Sequence, residues 1–324
     1  MKKIGLFFGG MSNESEVSIH SAKNVERYID VSKYQLIPIF WDKLGNFYRQ
    51  ESISVWSLKI QIEDFKDIFD IALLMTHWKY WEDGVLQSIF EIQKIPYCGC
   101  RVLSSALCMD KLMIKQLFVW AGIPQVPFDM IDLKSTTEGK GASIVESFSE
   151  LHGFPLYIKP ANSGSSVWIT KVEHISDIRL AIQEAAKHDS KVVIEKGLIS
   201  PQEIEMAVVG NSDLLLSEPW ELILTKDFYD YEDKYKNNQT NVVIPAHISE
   251  VHRKYIKELT QKVYTLCDCK WFARVDFFIA DGSVYLNEIN TLPWFTDISM
   301  FPMLMMNTWL SYTEVITKII DLAY

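Results

Sequence analysis

The chain has 324 residues, 48% apolar and 23% charged, a globular composition that excludes a mostly disordered protein. Its 32 basic and 42 acidic residues leave a net charge of −10, which argues against general binding to nucleic acid or to an anionic membrane, because phosphate backbones call for a basic face. No apolar run approaches the roughly 20 residues that span a bilayer, and the run after Lys2 and Lys3 is too short for an export signal. Five cysteines without disulfide spacing fit a reducing cytoplasm. Glycine, with 14 residues beside 10 tryptophans, stands below the roughly 7% of ordinary chains.

Strands and helices alternate from the N-terminus. Lys3 to Phe8 reads as a strand ending at Gly9-Gly10, and a helix is expected from near Ser12, with Asn13 and Glu16 at capping-box spacing. Strands at Leu36–Trp41 and Ile68–Met75 and a helix at Gly84–Ile92 continue the rhythm of an open parallel sheet, while 50–66 reads as an insertion without a period. Ser104–Trp120 reads as one long helix, ended by Gly122 and Pro124. A small α+β section follows: strands at 126–131, 156–159, 166–172 and 191–195, with helices up to Gly153 and over 175–188. The last section holds strands near 204–209 and 213–217, a polar aromatic loop over 228–239 and a helix over 249–267. A hairpin turns at Asp281-Gly282, and a terminal helix covers 308–322.

Three stretches can carry chemistry. FFGGMSNESEVS (7–18) runs from a strand through glycines into a helix N-terminus, which favours anions but is equally a plain turn. IKPANSGSS (158–166) puts Lys159 at a strand end before a small-residue loop, which suits a phosphate, or else a hairpin with a solvated lysine. FARVDFF (272–278) and VYLNEIN (284–290) are the most informative. Period-two geometry sets Arg274 and Asp276 on one face of a strand and Glu288 and Asn290 on one face of its antiparallel neighbour. Such an oxygen-rich site suits Mg²⁺ with nucleotide phosphates. The pairs Cys98/Cys100 and Cys267/Cys269 lack a partnering histidine, and buried free thiols are expected there.

In order, these pieces resemble the D-alanine–D-alanine ligases and their vancomycin-resistance relatives, within the ATP-grasp superfamily. The resemblance runs over essentially the whole chain, through FFGGMSNESEVS, WEDGVLQ (81–87), SSALCMDK (104–111), IKPANSGSS, FYDYEDKY (228–235), ARVDFF (273–278), LNEINTLP (286–293) and TDISMFPM (296–303). It implies an α/β ATP-grasp fold of three α/β domains, set here at 1–103, 104–190 and 191–324, with ATP between the central and C-terminal ones. It further implies a cytoplasmic, homodimeric enzyme that joins two D-alanines for peptidoglycan precursors through an acyl phosphate. Lys111 and Lys159 would contact the nucleotide phosphates, Glu195 and Glu203 the adenine edge and ribose, and Ser165 and Lys234 would also take part in binding the cofactor. Asp276, Glu288 and Asn290 would bind two Mg²⁺, or Mn²⁺. Arg274 would stabilise developing negative charge together with a backbone N–H near 294, and Glu14 would hold the ammonium of the first amino acid. His77, Ser165, Lys234, Tyr235, Ser299 and Met300 would line the substrate region, with Glu14, Ser165, Arg274, Tyr235 and Ser299 closest to the chemistry.

In the lactate-using relatives a histidine stands near the position of Tyr235; a neutral tyrosine does not repel an incoming amine, so a dipeptide product is expected. Met300, apolar where many resistance ligases have arginine, leans towards D-alanine over D-serine. The chain departs from the family pattern at Trp78, Trp81, Trp168 and Trp294, where that pattern has glycine. Two alternatives therefore stand beside the main reading: a ligase with another second substrate (D-serine, D-lactate or other), and a nucleotide-binding homologue with a degenerate catalytic site.

Overall fold

The structure is a computed structural model, and it describes residues 1–11, 14–55, 58–77, 80, 82–162, 168–223 and 241–323. The chain begins with β1 (Lys2–Gly9), α1 (Ser15–Tyr28), β2 (Tyr34–Trp41), β3 (Phe47–Arg49), β4 (Leu58–Ile60), α2 (Phe65–Ile68), β5 (Ile71–Leu74), α3 (Val85–Gln93) and β6 (Tyr97–Cys98). These strands form one sheet in the order β4-β3-β2-β1-β5-β6, with β2, β1, β5 and β6 parallel and β3 and β4 antiparallel at the edge. Segment 50–66 is therefore no structureless insertion. It supplies the edge strand β4 and delivers Phe65, whose ring meets Phe7 edge-on at 5.2 Å beside Phe47, Phe69 and Phe90. Helix α1 begins later than the sequence suggests, with Glu14 at its N-cap and no side-chain cap bond; the expected cap at Asn13 lies outside the described residues. At the turn, Gly9 has φ of 92°, and a β-carbon there would stand 2.5 Å from the carbonyl oxygen of Trp41.

The middle of the chain holds α4 (Val102–Met109), α5 (Lys111–Trp120), β7 (Phe128–Asp132), α6 (Glu138–His152), β8 (Leu156–Pro160), β9 (Thr170–Val172), α7 (Ile178–Ala186) and β10 (Lys191–Lys196). The expected single helix over 104–120 is two helices, because Asp110 leaves helical geometry and caps α5 with its side chain. The strands form an antiparallel sheet in the order β7-β10-β8-β9. Strand β10 lies inside this sheet, paired with both β7 and β8.

The third sheet comprises β11 (Gln202–Val209), β12 (Leu215–Leu216), β13 (Trp220–Ile223), β14 (Asn241–Val243), β15 (Phe272–Ala280) and β16 (Ser283–Asn290), with α8 (Glu250–Leu266) against it. Its order is β14-β13-β11-β15-β16, with β12 on β11. Beneath it, α8 buries Ile256, Leu259 and Val263 in one core with Ile114 and Phe118 of α5. The chain ends with α9 (Met300–Met306), absent from the sequence reading, and α10 (Tyr312–Asp321). Pro302 in the first turn of α9 is tolerated, since the N–H it lacks would have no partner within the helix. Phe301, Leu304, Val315 and Ile319 of these helices share one core with Ile4 and Leu6 of β1, and Tyr34 donates to Asp321 at 2.8 Å. The last helices thereby tie the third sheet to the first.

Candidate active site

The break at Asp110 sets the first group. Oδ1 of Asp110 accepts from the N–H of Leu112 and of Met113, both at 3.1 Å, and Oδ2 takes the ammonium of Lys191. The N–H of Lys111 donates to the carbonyl of Ala161, just past β8, at 3.0 Å. Lys111 is thus anchored on the second sheet, and its Nζ reaches Glu288 of the third at 3.0 Å. Lys159 of β8 donates to Glu195 of β10 at 2.7 Å, and Lys115, one turn after Lys111, places Nζ 2.9 Å from the other oxygen of Glu195. All three of this triad are buried.

The electrostatics follow from that geometry. Burial pushes the Glu195 carboxyl up, but Lys115 and Lys159 more than offset it and hold it down at about 2. Burial depresses Lys159, with Glu195 opposing and the other two lysines adding to the depression. Burial also pulls Lys111 down, but Glu288 outweighs it and lifts the ammonium above the ordinary lysine value. Glu288 is held down at about 2, chiefly by Lys111.

The third sheet carries the second group. Register places Glu205 opposite Asp276 and Asp276 opposite Glu288, a row of carboxylates across β11, β15 and β16. Arg274 grips Asp276 through Nε at 2.8 Å and Nη2 at 2.7 Å, with Glu205 3.5 Å from its Nε. Asn290, opposite Arg274, donates to Asp276 at 2.9 Å. Burial works against the guanidinium, and Asp276 and Glu205 overcome it, raising its pKa well above normal. Beside Glu205, Glu203 faces Phe278 across the strands. A register shift after Asp276 keeps Glu288 and Asn290 on the face of Asp276 and Arg274.

Two residues beyond Asn290 the chain enters a crevice lined from the first sheet. His77 donates through Nδ1 to the carbonyl of Leu292 at 3.1 Å, and its Nε2 faces the hydroxyl of Ser21 at 3.4 Å. Burial lowers its pKa to about 4, with the bond to Leu292 opposing, so the ring is neutral. Glu82 accepts from the N–H of Leu292 at 3.1 Å, and Ser21 from that of Phe295 at 3.2 Å. Ser299, buried at the N-cap of α9, shares a 2.7 Å hydrogen bond with the Thr296 hydroxyl, and Met300 opens α9 packed on the first core. Glu14 is 4% exposed, and the indole N–H of Trp294 donates to its Oε2 at 3.3 Å. The Trp294 ring stands edge-on to His77, with centroids 6.3 Å apart.

Lys111, Lys159, Glu195, Arg274, Asp276, Glu288 and Asn290 are therefore brought together, and Glu14, His77, Ser299 and Trp294 form the adjoining crevice. The expectation that the Glu195 carboxylate holds the adenine edge meets a different arrangement here: both oxygens serve Lys115 and Lys159. Ser165, Lys234, Tyr235, Trp78 and Trp81 lie outside the described residues. Sequence reasoning missed Lys115, Glu205, Glu82 and Ser21. Lys115 follows Lys111 at helical i,i+4 spacing, and Glu205 follows Glu203 at strand spacing, so periodicity could have found both. Among the described residues no group of three or more His, Cys, Asp or Glu side chains is arranged to hold a metal ion. Two carboxylates and an amide are nonetheless the hard oxygen donors that Mg²⁺ uses when phosphates and water complete its shell. The five cysteines are buried and free, as expected, and no helix among the described residues is long and apolar enough to cross a membrane.

The comparisons with known proteins agree with this geometry. The family described as D-ala D-ala ligase N-terminus matches residues 3–100, and D-ala D-ala ligase C-terminus matches 117–321. The chain belongs to the D-alanine–D-alanine ligase family. It is 38% identical to the D-alanine–D-alanine ligases of Caldicellulosiruptor bescii (99% of this chain, 94% of that one) and Chlorobaculum tepidum (99% and 96%). Among solved structures it is similar to the VanG D-Ala:D-Ser ligase from Enterococcus faecalis, with TM-score 0.88, 32% identity and coverage of 100% and 99%. The D-alanine–D-alanine ligase from Coxiella burnetii aligns with TM-score 0.85, 29% identity and coverage of 100% and 95%. The family's ATP-grasp fold is the fold of this chain.

Proposed function

We propose that the protein joins two D-alanines with ATP, releasing ADP and phosphate, to supply a peptidoglycan precursor in the cytoplasm, working as a homodimer. The observation that carries this reading is the junction at 290–294. Asn290 belongs to the phosphate-facing charge set, while Leu292 and Trp294 belong to the crevice with the buried carboxylate Glu14.

Lys111 and Lys159, both anchored on the second sheet, hold the nucleotide phosphates in the gap that faces the third. Asp276, Glu288 and Asn290 would hold Mg²⁺, which supplies neutralisation of phosphoryl charge. The carboxylate of the first D-alanine, its ammonium on Glu14, takes the γ-phosphoryl group of ATP to give an acyl phosphate and ADP. Arg274, fixed by Asp276, points its guanidinium to where the oxyanion develops when the second amine attacks the acyl carbon. The amine loses its proton and phosphate leaves. His77 stays neutral above about pH 4 and adds no positive charge beside the two amino groups. Tyr235 and Lys234 would close the site and exclude water.

The similarity to a D-Ala:D-Ser ligase makes D-serine the leading alternative acceptor. Incubation with ATP, Mg²⁺ and D-alanine should release phosphate and form D-alanyl-D-alanine, read by mass. A panel containing D-serine and D-lactate should give slower product; a faster one would reassign the acceptor. Bound ATP with no product from any acceptor would favour a degenerate site.

A further inference from the structure

Among the described residues, eight other than glycine have positive φ, and three of these are tryptophans: Trp168 at 65°, Trp271 at 62° and Trp309 at 70°. Ten tryptophans in 324 residues do not produce that share by chance. The left-handed region belongs to glycine, then to asparagine and aspartate, and a bulky ring there is an outlier. Backbone bonds impose it in each place where they are seen. The N–H of Trp271 donates to Asn211 at 3.0 Å and its carbonyl accepts from Gly210 at 2.9 Å. The N–H of Trp309 reaches back to Met306 at 3.2 Å, just past the end of α9, where glycine ends helices.

The rings do not account for their positions. The Trp309 side chain stands in solvent, 97% exposed. Trp271 lies along Tyr97, yet its indole N–H is buried without an acceptor among the described residues. Trp168 stacks on His188 at 3.7 Å, just before β9, whereas Trp271 stands before β15 and Trp309 after α9. No common surface joins them; they share only glycine's backbone. Trp41 is the contrast: an extended strand residue, 6% exposed and stacked on Phe47 at 4.9 Å.

We propose that the working protein carries glycine at positions 78, 81, 168, 271, 294 and 309, because the codon there is UGA and the host reads it as glycine rather than tryptophan. At 168, 271 and 309 the inference stands on the backbone alone; at 78, 81 and 294 it rests on the ligase reading, through the glycines of the family's loops. Glycine at 294 removes the indole N–H bond to Oε2 of Glu14. Glycine content then moves towards the roughly 7% of ordinary chains. The tryptophans cease to argue for a dead or redirected site.

The nucleotide sequence and peptide masses of the protein isolated from its host test this together. UGA is expected at the six positions and UGG at 41, with peptides spanning 168, 271 and 309 lighter by the difference between tryptophan and glycine. UGG codons at 168, 271 and 309, or UGA codons whose peptides retain tryptophan, would overturn the proposal. Recombinant protein in both forms gives the functional arm. The glycine form is expected to make dipeptide faster on the order of 100-fold and to melt at a higher temperature; equal rates and equal melting would count against it. Dipeptide from neither form would sink the ligase reading, while codons and masses would still decide this one.

Discussion

The two halves of the site are held by different means. The charged half is a lattice of ion pairs on regular strands and one helix: Lys111 to Glu288, Lys115 and Lys159 to Glu195, Arg274 to Asp276. The crevice half is an irregular segment, 291–299, whose backbone N–H groups donate to Glu82 and Ser21 and whose Leu292 carbonyl accepts from His77. Charge on a sheet fixes positions before ligand arrives, as phosphoryl transfer needs. Loop backbone held one bond at a time can adapt to a small amino acid, and its failure costs less.

The comparison sharpens when either half is cut. Lys115→Met removes one partner of a buried carboxylate and is expected to lower stability by about 3–5 kcal/mol, measured by urea unfolding; Glu195→Gln in the same chain should restore part of it. An unchanged unfolding midpoint would show that Lys159 alone carries Glu195. Arg274→Ala is expected to lower kcat by about 10²–10³ with a smaller change in KM for D-alanine. Arg274→Lys should not recover it, because an ammonium cannot grip Asp276 through two parallel bonds.

His77 predicts the pH response of the crevice. Its folded pKa of about 4 lies below the ordinary 6.5, so the unfolded chain binds the proton first and stability falls as pH drops from about 6.5 to 4, by up to about 3 kcal/mol. His77→Gln should flatten that slope in acid unfolding curves. Glu195, held at about 2 against 4.5, contributes stability above its ordinary value that is lost at lower pH still, as pH falls from about 4.5 towards 2. The smallest effect is expected from Ser21→Ala, which strips the N–H of Phe295 of its acceptor at about 1–2 kcal/mol. It should raise KM for D-alanine more than KM for ATP; the reverse would misplace the crevice.

Much of this was legible in the residues. Alternation in 272–290 pairs Arg274 with Asp276 on one strand face and Glu288 with Asn290 on one face of its neighbour, because strand period is local; that the two pairs share a face depends on the register shift after Asp276, which the Asp281-Gly282 turn does not announce. Lys115 stands one helical turn after Lys111 in the sequence, but its burial against Glu195 comes only from the packing of α5 against β10. The helix break at Asp110 hid for another reason: the apolar run continues through it, and the side chain that ends one helix begins the next. Strands β3 and β4 were too short to show a period. The crevice was legible only by resemblance, since hydrogen bonds such as Ser21 to Phe295 join residues 274 apart in sequence.

The central claim is that a carboxylate is activated as an acyl phosphate between these halves. The most direct test supplies D-alanine labelled with oxygen-18 in its carboxylate, with ATP and Mg²⁺, to the tryptophan and glycine forms of the protein, and follows the label. One labelled oxygen in the released phosphate, alongside D-alanyl-D-alanine from the glycine form, is the predicted result. Unlabelled phosphate, or none from either form, would contradict it.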